Sequence, residues 1–245
     1  MKYAIISDIH SNKEALQSVL DDISKNRVDK IICLGDIVGY GPNPKECIEL
    51  LKSLPNVEVI LGNHDAAIIE KTNIADFNDN AKEAIKINKT LITETELEYI
   101  SSLKMSYAEN GVLFVHGSPR DPINEYLMTM KKLQENMELF SEKICFVGHT
   151  HLPLVYVKTD LGTDYIENIE GNQEISIMAD RRYIINTGSV GQPRDGDTRA
   201  CFLYYDTSEN KVTYCRLKYD IESVQKKMKD LQLPEFLINR LTEGK

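Results

Sequence analysis

No apolar run in this sequence approaches the ~18 residues that a membrane-crossing helix needs, so a membrane span is excluded. The N-terminal run Tyr3-Ala4-Ile5-Ile6 is far shorter than the roughly 7–15 apolar residues of a signal peptide, so a cytoplasmic protein is expected. Basic runs are missing too. Lys and Arg number 29 against 38 Asp and Glu, a net charge of −9 over 245 residues. With a pI near 5.2, tight binding to the backbone of long nucleic acid is not expected. A small anionic substrate held by a metal remains open. The five cysteines (33, 47, 145, 201 and 215) form no C-x-x-C pair. Their odd number and wide spacing point to small core residues in a reducing compartment.

What is present is a soluble globular composition, 42% hydrophobic and 27% charged. With no internal repeat and no low-complexity linker, residues 1–245 are expected to form one domain. Tyr3–Ile6, Lys30–Leu34 and Val57–Leu61 read as strands. A helix is expected over 11–25, where Ser11-x-x-Glu14 forms a capping box and Ala15, Leu16, Val19, Leu20 and Ile23 recur at helical spacing. A second is expected over Pro44–Leu54. This β-α-β-α-β alternation predicts a largely parallel sheet with helices on its faces. Residues 66–104 read as helical, with a break before the second capping box, Thr93-x-x-Glu96. Further strands are expected at Lys104–Ala108, Val112–Val115, Ile144–Val147, Leu154–Val157, Tyr183–Asn186, Ala200–Tyr205 and Lys211–Leu217. Helices are expected near 129–140, 220–231 and 234–242, and the polar stretch 158–182 reads as a hairpin insertion.

Histidine is scarce, and its placement is informative. The five lie at 10, 64, 116, 149 and 151, each just past a predicted strand. Gly35-Asp36 follows another. In open α/β sheets ligands bind outside the carboxyl ends of strands, so these termini converge on one site. A lone histidine after a strand is usually a structural residue, and Asp8, Asp36 or Asn63 alone would be ordinary turn residues. That reading does not explain why no histidine falls anywhere else. Asp, Asn and His donors without thiolate suit Mn or Fe first, and also Zn or Ni. Two aspartates, an asparagine and four histidines exceed what one tetrahedral ion uses. A second ion bridged by a carboxylate resolves the excess, and two ions ~3.5–4 Å apart clamp an in-line displacement at phosphorus.

Asp8-x-His10, Gly35-Asp36, Gly62-Asn63-His64-Asp65, the isolated His116 and Gly148-His149-x-His151 resemble, in order, the signature blocks of the calcineurin-like metallophosphoesterase superfamily. Gly39-Tyr40-Gly41-Pro42, Asn186-Thr187-Gly188-Ser189 and Leu233-Pro234-Glu235 are similar to a bacterial branch of small phosphodiesterases. The resemblance implies an α/β (α+β) fold, a four-layer αββα sandwich of two mixed sheets with the dimetal site at their upper edge. It implies one metal on Asp8, His10, Asp36 and His151, and another on Asp36, Asn63, His116 and His149. A hydroxide shared by the ions would be the nucleophile. His64 would protonate the leaving oxygen, with Asp65 orienting its ring.

The loop 186–196 reads either as a tight surface turn or as an active-site rim carrying Arg194 to a phosphate oxygen. Asn12 and Tyr40 are weaker candidates for substrate binding, Asn12 reading more simply as an early-helix residue. The function expected is dimetal-dependent hydrolysis of a small, nucleotide-like phosphodiester. The competing readings are a phosphomonoesterase or protein phosphatase, and, in another class, a non-catalytic metal-binding scaffold. Retention of His64 with the full ligand set argues against the scaffold. The protein phosphatase motif Gly-Asp-x-x-Asp-Arg-Gly is not matched after Asp36, where its arginine is missing. That leaves Arg194 and Arg120 as the arginines in loops near the site.

Overall fold

The computed structural model describes residues 1–159 and 162–245. Its first half alternates as the sequence pattern predicts: β1 (Lys2–Ile6), α1 (Lys13–Lys25), β2 (Lys30–Cys33), α2 (Pro44–Ser53) and β3 (Val57–Val59). These strands are parallel, with Ile5 beside Ile32 and Ile32 beside Glu58. Helix α1 begins one residue later than the capping box proposed. Asn12 is the cap, its side chain accepting from Ala15 N, while Ser11 has φ +54° and donates its hydroxyl to Asn88.

The segment expected as 66–104 starts at Asn63 and contains α3 (Asn63–Ile68), α4 (Asp79–Thr90) and α5 (Glu94–Ser101), with a 3-10 turn at Ile74–Asp76. The break before Thr93 is present. The Glu96 carboxylate reaches back to accept from Thr93 N at 2.7 Å. Next come β4 (Ser106–Glu109), β5 (Val112–Val115), α6 (Met130–Met137), β6 (Ile144–Val147) and β7 (Leu154–Thr159). They are followed by β8 (Tyr165–Asn168), β9 (Gln173–Ser176), β10 (Arg181–Asn186), β11 (Ala200–Asp206), β12 (Lys211–Leu217), α7 (Ile221–Asp230) and α8 (Glu235–Glu243).

Among the described residues the strands form two mixed six-stranded sheets, ordered β3-β2-β1-β11-β12-β9 and β4-β5-β6-β10-β7-β8. The stretch 158–182, expected as a hairpin insertion and with residues 160 and 161 outside the described residues, has two strands that do not pair with each other. Strand β8 pairs with β7 in the second sheet, whereas β9 pairs with β12 in the first, so the segment crosses between sheets and supplies an edge strand to each. Its alternation was too weak to fix a partner, because edge strands have only one.

Side-chain alternation divides each strand between two cores. Ile5 of β1, Leu203 of β11, Phe146 of β6 and Ile185 of β10 pack between the sheets, with the Tyr3 and Phe114 rings tilted against each other among them at 6.0 Å. Ala4 and Ile6 instead meet Leu16 and Val19 of α1, and Cys145 and Val147 meet Leu133 and Met137 of α6. The layers are therefore helix, sheet, sheet, helix. Each fully buried branched or aromatic side chain contributes about 1.5–3 kcal/mol over an exposed one, so both sheets are firmly placed. Their shared carboxyl-terminal edge is where the loops after β1, β2, β3, β5, β6 and β10 gather. No helix among the described residues is long and apolar enough to cross a membrane.

Candidate metal centre and active site

The loop after β1 delivers Asp8 and His10, the loop after β2 delivers Asp36, and α3 begins at Asn63 and His64. His116 follows β5, and His149 and His151 follow β6. All eight side chains are buried. The backbone bends sharply to place them: φ is +53° at Asp8, +48° at His10, +52° at Asp36, +65° at His149 and +61° at His151. Left-handed conformations in non-glycine residues cost about 1–3 kcal/mol each and persist only where neighbours enforce them. Here Asp8 N donates to Gly35 O, His10 N to Asp36 O and His149 N to Asp8 Oδ2. Gly35 and Gly62 let two of these loops touch, since a Cβ on Gly35 would stand 2.4 Å from Gly62 N.

Four histidines each give one ring nitrogen to a backbone carbonyl. His10 Nδ1 meets Val38 O at 3.1 Å, His116 Nδ1 meets Leu34 O at 2.9 Å, and His151 Nδ1 meets Gln192 O at 2.6 Å. His149 instead uses Nε2, 3.1 Å from Asn124 O. A carbonyl only accepts, so these nitrogens carry the ring protons and the opposite ones present lone pairs. Burial lowers the proton affinity of His10, His149 and His151 well below the usual range, which keeps those lone pairs free.

The lone pairs then face one another with no proton between them. His10 Nε2 lies 3.0 Å from His151 Nε2, and His116 Nε2 lies 3.1 Å from both His149 Nδ1 and Asn63 Oδ1. Asp8 Oδ1, buried and without a hydrogen-bond partner, is 3.3 Å from His151 Nε2. Converging acceptors of this kind repel unless a cation sits among them. Burial also pushes Asp8 up to about 7, against the pull of His116, and raises Asp36 with help from Asp65. Cations would restore both carboxylates to their charged form, so the donor set fits metal ions. The two clusters share one atom. Asp36 Oδ2 is 3.6 Å from His10 Nε2 and 3.5 Å from His116 Nε2.

A model of the calcineurin-like phosphoesterase superfamily domain matches residues 1–210. The chain belongs to this superfamily. An uncharacterised protein of Methanocaldococcus jannaschii is 40% identical over 99% of this chain and 98% of its own length. The crystal structure of a metallophosphoesterase from Sphaerobacter thermophilus superposes with a TM-score of 0.88 at 39% identity, covering 100% of this chain and 99% of that one. A shorter match, 35% identity over 26% of this chain and 24% of the relative, is to a symmetrical bis(5'-nucleosyl)-tetraphosphatase of Psychromonas ingrahamii. Calcineurin-like phosphoesterases use a dimetal centre, and the candidate ligands among the described residues fall in three overlapping groups, Asp8 with His10 and His151, His10 with Asp36 and His64, and Asp36 with His116 and His149.

Asp65 is a correction. Its carboxylate accepts from the backbone N–H groups of Ile37, Val38 and Gly62, so it holds the Asp36 loop and does not orient His64. His64 Nδ1 has no hydrogen-bond partner. The His64 ring is instead fixed by packing, 4.4 Å from the Tyr40 ring and edge-on to Phe77. Tyr40 does line the open cleft beside the centre. Asn12 does not, its amide being divided between Ala15 N and Gly191 O.

Arg194 lies with its guanidinium 5.7 Å from the Tyr40 ring centre and donates to Gln192 Oε1 at 3.0 Å; burial depresses proton affinity at His10, His64 and His151, and the Arg194 charge adds to it. The loop 186–196 that carries it is laced to the loop after β1, with Val190 N on Ser7 O and Gly191 N on Asp8 O. Arg120 is elsewhere occupied, paired with Glu125 and Glu135. Residues missed in the sequence include Tyr126, stacked on His149 with ring centroids 3.8 Å apart, and Phe77. Asn88 was missed too. It accepts from Ser11 and Gly39 and donates to Gly41 O, clamping the loops on either side of Tyr40. A signal for it existed, because Asn88 continues the apolar series Ala81, Ala84 and Ile85 at helical spacing.

Proposed function

We propose that this chain is a dimetal-dependent hydrolase of small phosphodiesters, in which Asp8, His10, Asp36 and His151 hold one ion and Asp36, Asn63, His116 and His149 the other. The placement of Asp36 Oδ2 between the two histidine groups is the observation that carries the reading. Mn or Fe suits the mixed oxygen and imidazole donors. When bound, the pair supplies Lewis-acid stabilisation of phosphoryl charge and lowers the pKa of the attacking water. His64 lines the cleft, while its Nδ1 is buried against Gly39 without a hydrogen-bond partner. Burial holds it neutral in the free protein, and an anionic phosphate beside it favours the protonated ring that donates to the leaving oxygen. Tyr40 and Arg194 form the rim that meets the remaining phosphate oxygens.

A diester monoanion needs little charge compensation beyond the metals, and the acidic surface repels polyanions. The placement of Arg194 favours a second reading, a phosphomonoesterase, because a guanidinium beside the centre balances a dianion. The test compares kcat/KM for bis(nitrophenyl) phosphate and nitrophenyl phosphate with Mn²⁺ at neutral pH. The diester is expected to lead. A monoester preference of roughly tenfold, about 1.4 kcal/mol of transition-state discrimination, would put the second reading first.

A further inference from the structure

The cleft beside His64 has a volume of about 480 Å³ and reaches the centre through Asn63 and His149. That volume suits a ligand the size of a nucleoside. Its chemistry is divided between two aromatic walls and a polar lip. Tyr126 lies flat on His149, at an interplanar angle of 24°, and is still 42% exposed, so one face of its ring is covered and the other is open. Phe77 stands edge-on to His64 with centroids 5.1 Å apart. Asn73, Asp76 and Asn78 form the lip. Asn73 and Asn78 each use their side-chain oxygen to cap the turn that follows, accepting from Ala75 N and Ala81 N at 3.0 Å. What remains to them is a pair of NH₂ donors, while Asp76 offers acceptors.

Contact between Phe77 and His64 tells which half of a substrate this cleft receives. A group that protonates the leaving oxygen has the leaving group beside it, so the cleft takes the leaving group. We propose that it is a nucleoside subsite, with the base lying on Tyr126 and Phe77 and Asp76 accepting from a sugar hydroxyl or a base N–H. This rests on the phosphodiesterase reading above and adds the identity of the alcohol released. Stacking on an aromatic wall is tolerant of base identity, so little discrimination among bases is expected. In the reaction, water adds to phosphorus and the P–O bond to the nucleoside breaks. The departing oxygen takes its proton from His64, which regains one from the attacking water.

The experiment measures kcat/KM for the dinucleoside monophosphate of thymidine and for bis(nitrophenyl) phosphate in the metal-loaded wild type, Tyr126→Ala, Tyr126→Phe and Asp76→Asn, with metal content recorded for each. Tyr126→Ala is expected to lower the dinucleotide value about tenfold through KM, and Tyr126→Phe, which keeps the stacking face, to restore it. Asp76→Asn is expected to lower the dinucleotide value several-fold more than the nitrophenyl value. Equal effects of Asp76→Asn on both substrates, or wild-type turnover of the nitrophenyl diester without the dinucleotide, would overturn the subsite and leave the phosphodiesterase reading standing. No turnover of either diester by metal-loaded protein would instead remove the phosphodiesterase reading on which the subsite rests.

Discussion

Asp36 divides its two carboxylate oxygens between two tasks: Oδ1 accepts from the backbone N–H of His64 at 2.8 Å, and Oδ2 faces His10 and His116. The bond from His64 fixes the rotation of the carboxylate, so the second oxygen has one place to be. It also ties the start of α3 to the centre of the ligand set.

Replacing Asp36 with Asn is therefore expected to cost both metals, where His151→Ala costs chiefly one. Metal analysis of the two purified variants checks this. Activity of Asp36→Asn should fall by at least roughly 10²-fold, the scale of losing a principal charge at the reacting centre. Retention of both metals with normal turnover would show that Asp36 does not bridge.

In the proposed assignment His64 is the histidine that holds no ion, although it stands within ligand distance of His10 and Asp36, so His64→Ala is expected to keep its metals. Loss of a general acid slows reactions by roughly 10²–10⁴-fold, most for poor leaving groups. Alkyl esters should suffer that loss and nitrophenyl esters much less. Equal losses on the two would sink the acid role.

Glu125 gathers the loop between β5 and α6 by accepting from Arg120, Ser118 and Asn136, and its pKa falls to about 2, with Arg120 as the largest cause. The unfolded value is ~4.3, so the folded value is the lower one. Its stabilisation is then complete above the unfolded value and disappears as pH falls from there through about 2. Denaturant titrations between pH 6 and pH 2 should show a steeper acid loss for the wild type than for Glu125→Gln (pH range on the order of the carboxylate values). Parallel curves would mean that Glu125 contributes no such linkage.

Arg216, on the inward row of β12, has a fully buried side chain that grips Asp195 through both Nη atoms. That pair pins the residue next to Arg194. Breaking a buried pair by removing one partner costs about 3–5 kcal/mol, because the other charge is left unpaired. Asp195→Ala, which leaves the buried Arg216 guanidinium without this partner, is expected to lose that much in denaturant unfolding, and Arg216→Met with Asp195→Leu to recover most of it. A loss under about 1 kcal/mol would place the pair among surface-like bridges.

The alternating first half of the fold was legible because β1, β2 and β3 are short apolar runs separated by helices whose buried positions repeat at helical spacing. The eight residues of the centre were legible because each lies just beyond a strand end, and a chain has no other cheap way to bring so many donors together. Their tautomers were not. Which nitrogen of His149 faces the candidate ligand cluster depends on the carbonyl of Asn124, and any residue could have supplied that carbonyl.

The same holds for Asp65, whose place in the Gly62-Asn63-His64-Asp65 block named a partner for His64, whereas three backbone N–H groups from two loops claimed it. It holds for β8 and β9 as well, since a pattern of alternation tells which face of a strand is buried but not which sheet accepts it. Sequence by itself determined the candidate donors, the strands that carry them and the family. Tertiary structure alone decided which atom of each donor points inward, how Tyr126 and Phe77 wall the cleft, and where Arg194 stands. Local order along a chain fixes periodicity and spacing, while ring rotation, hydrogen-bond partner and cleft shape are set by residues distant in sequence that packing brings into contact.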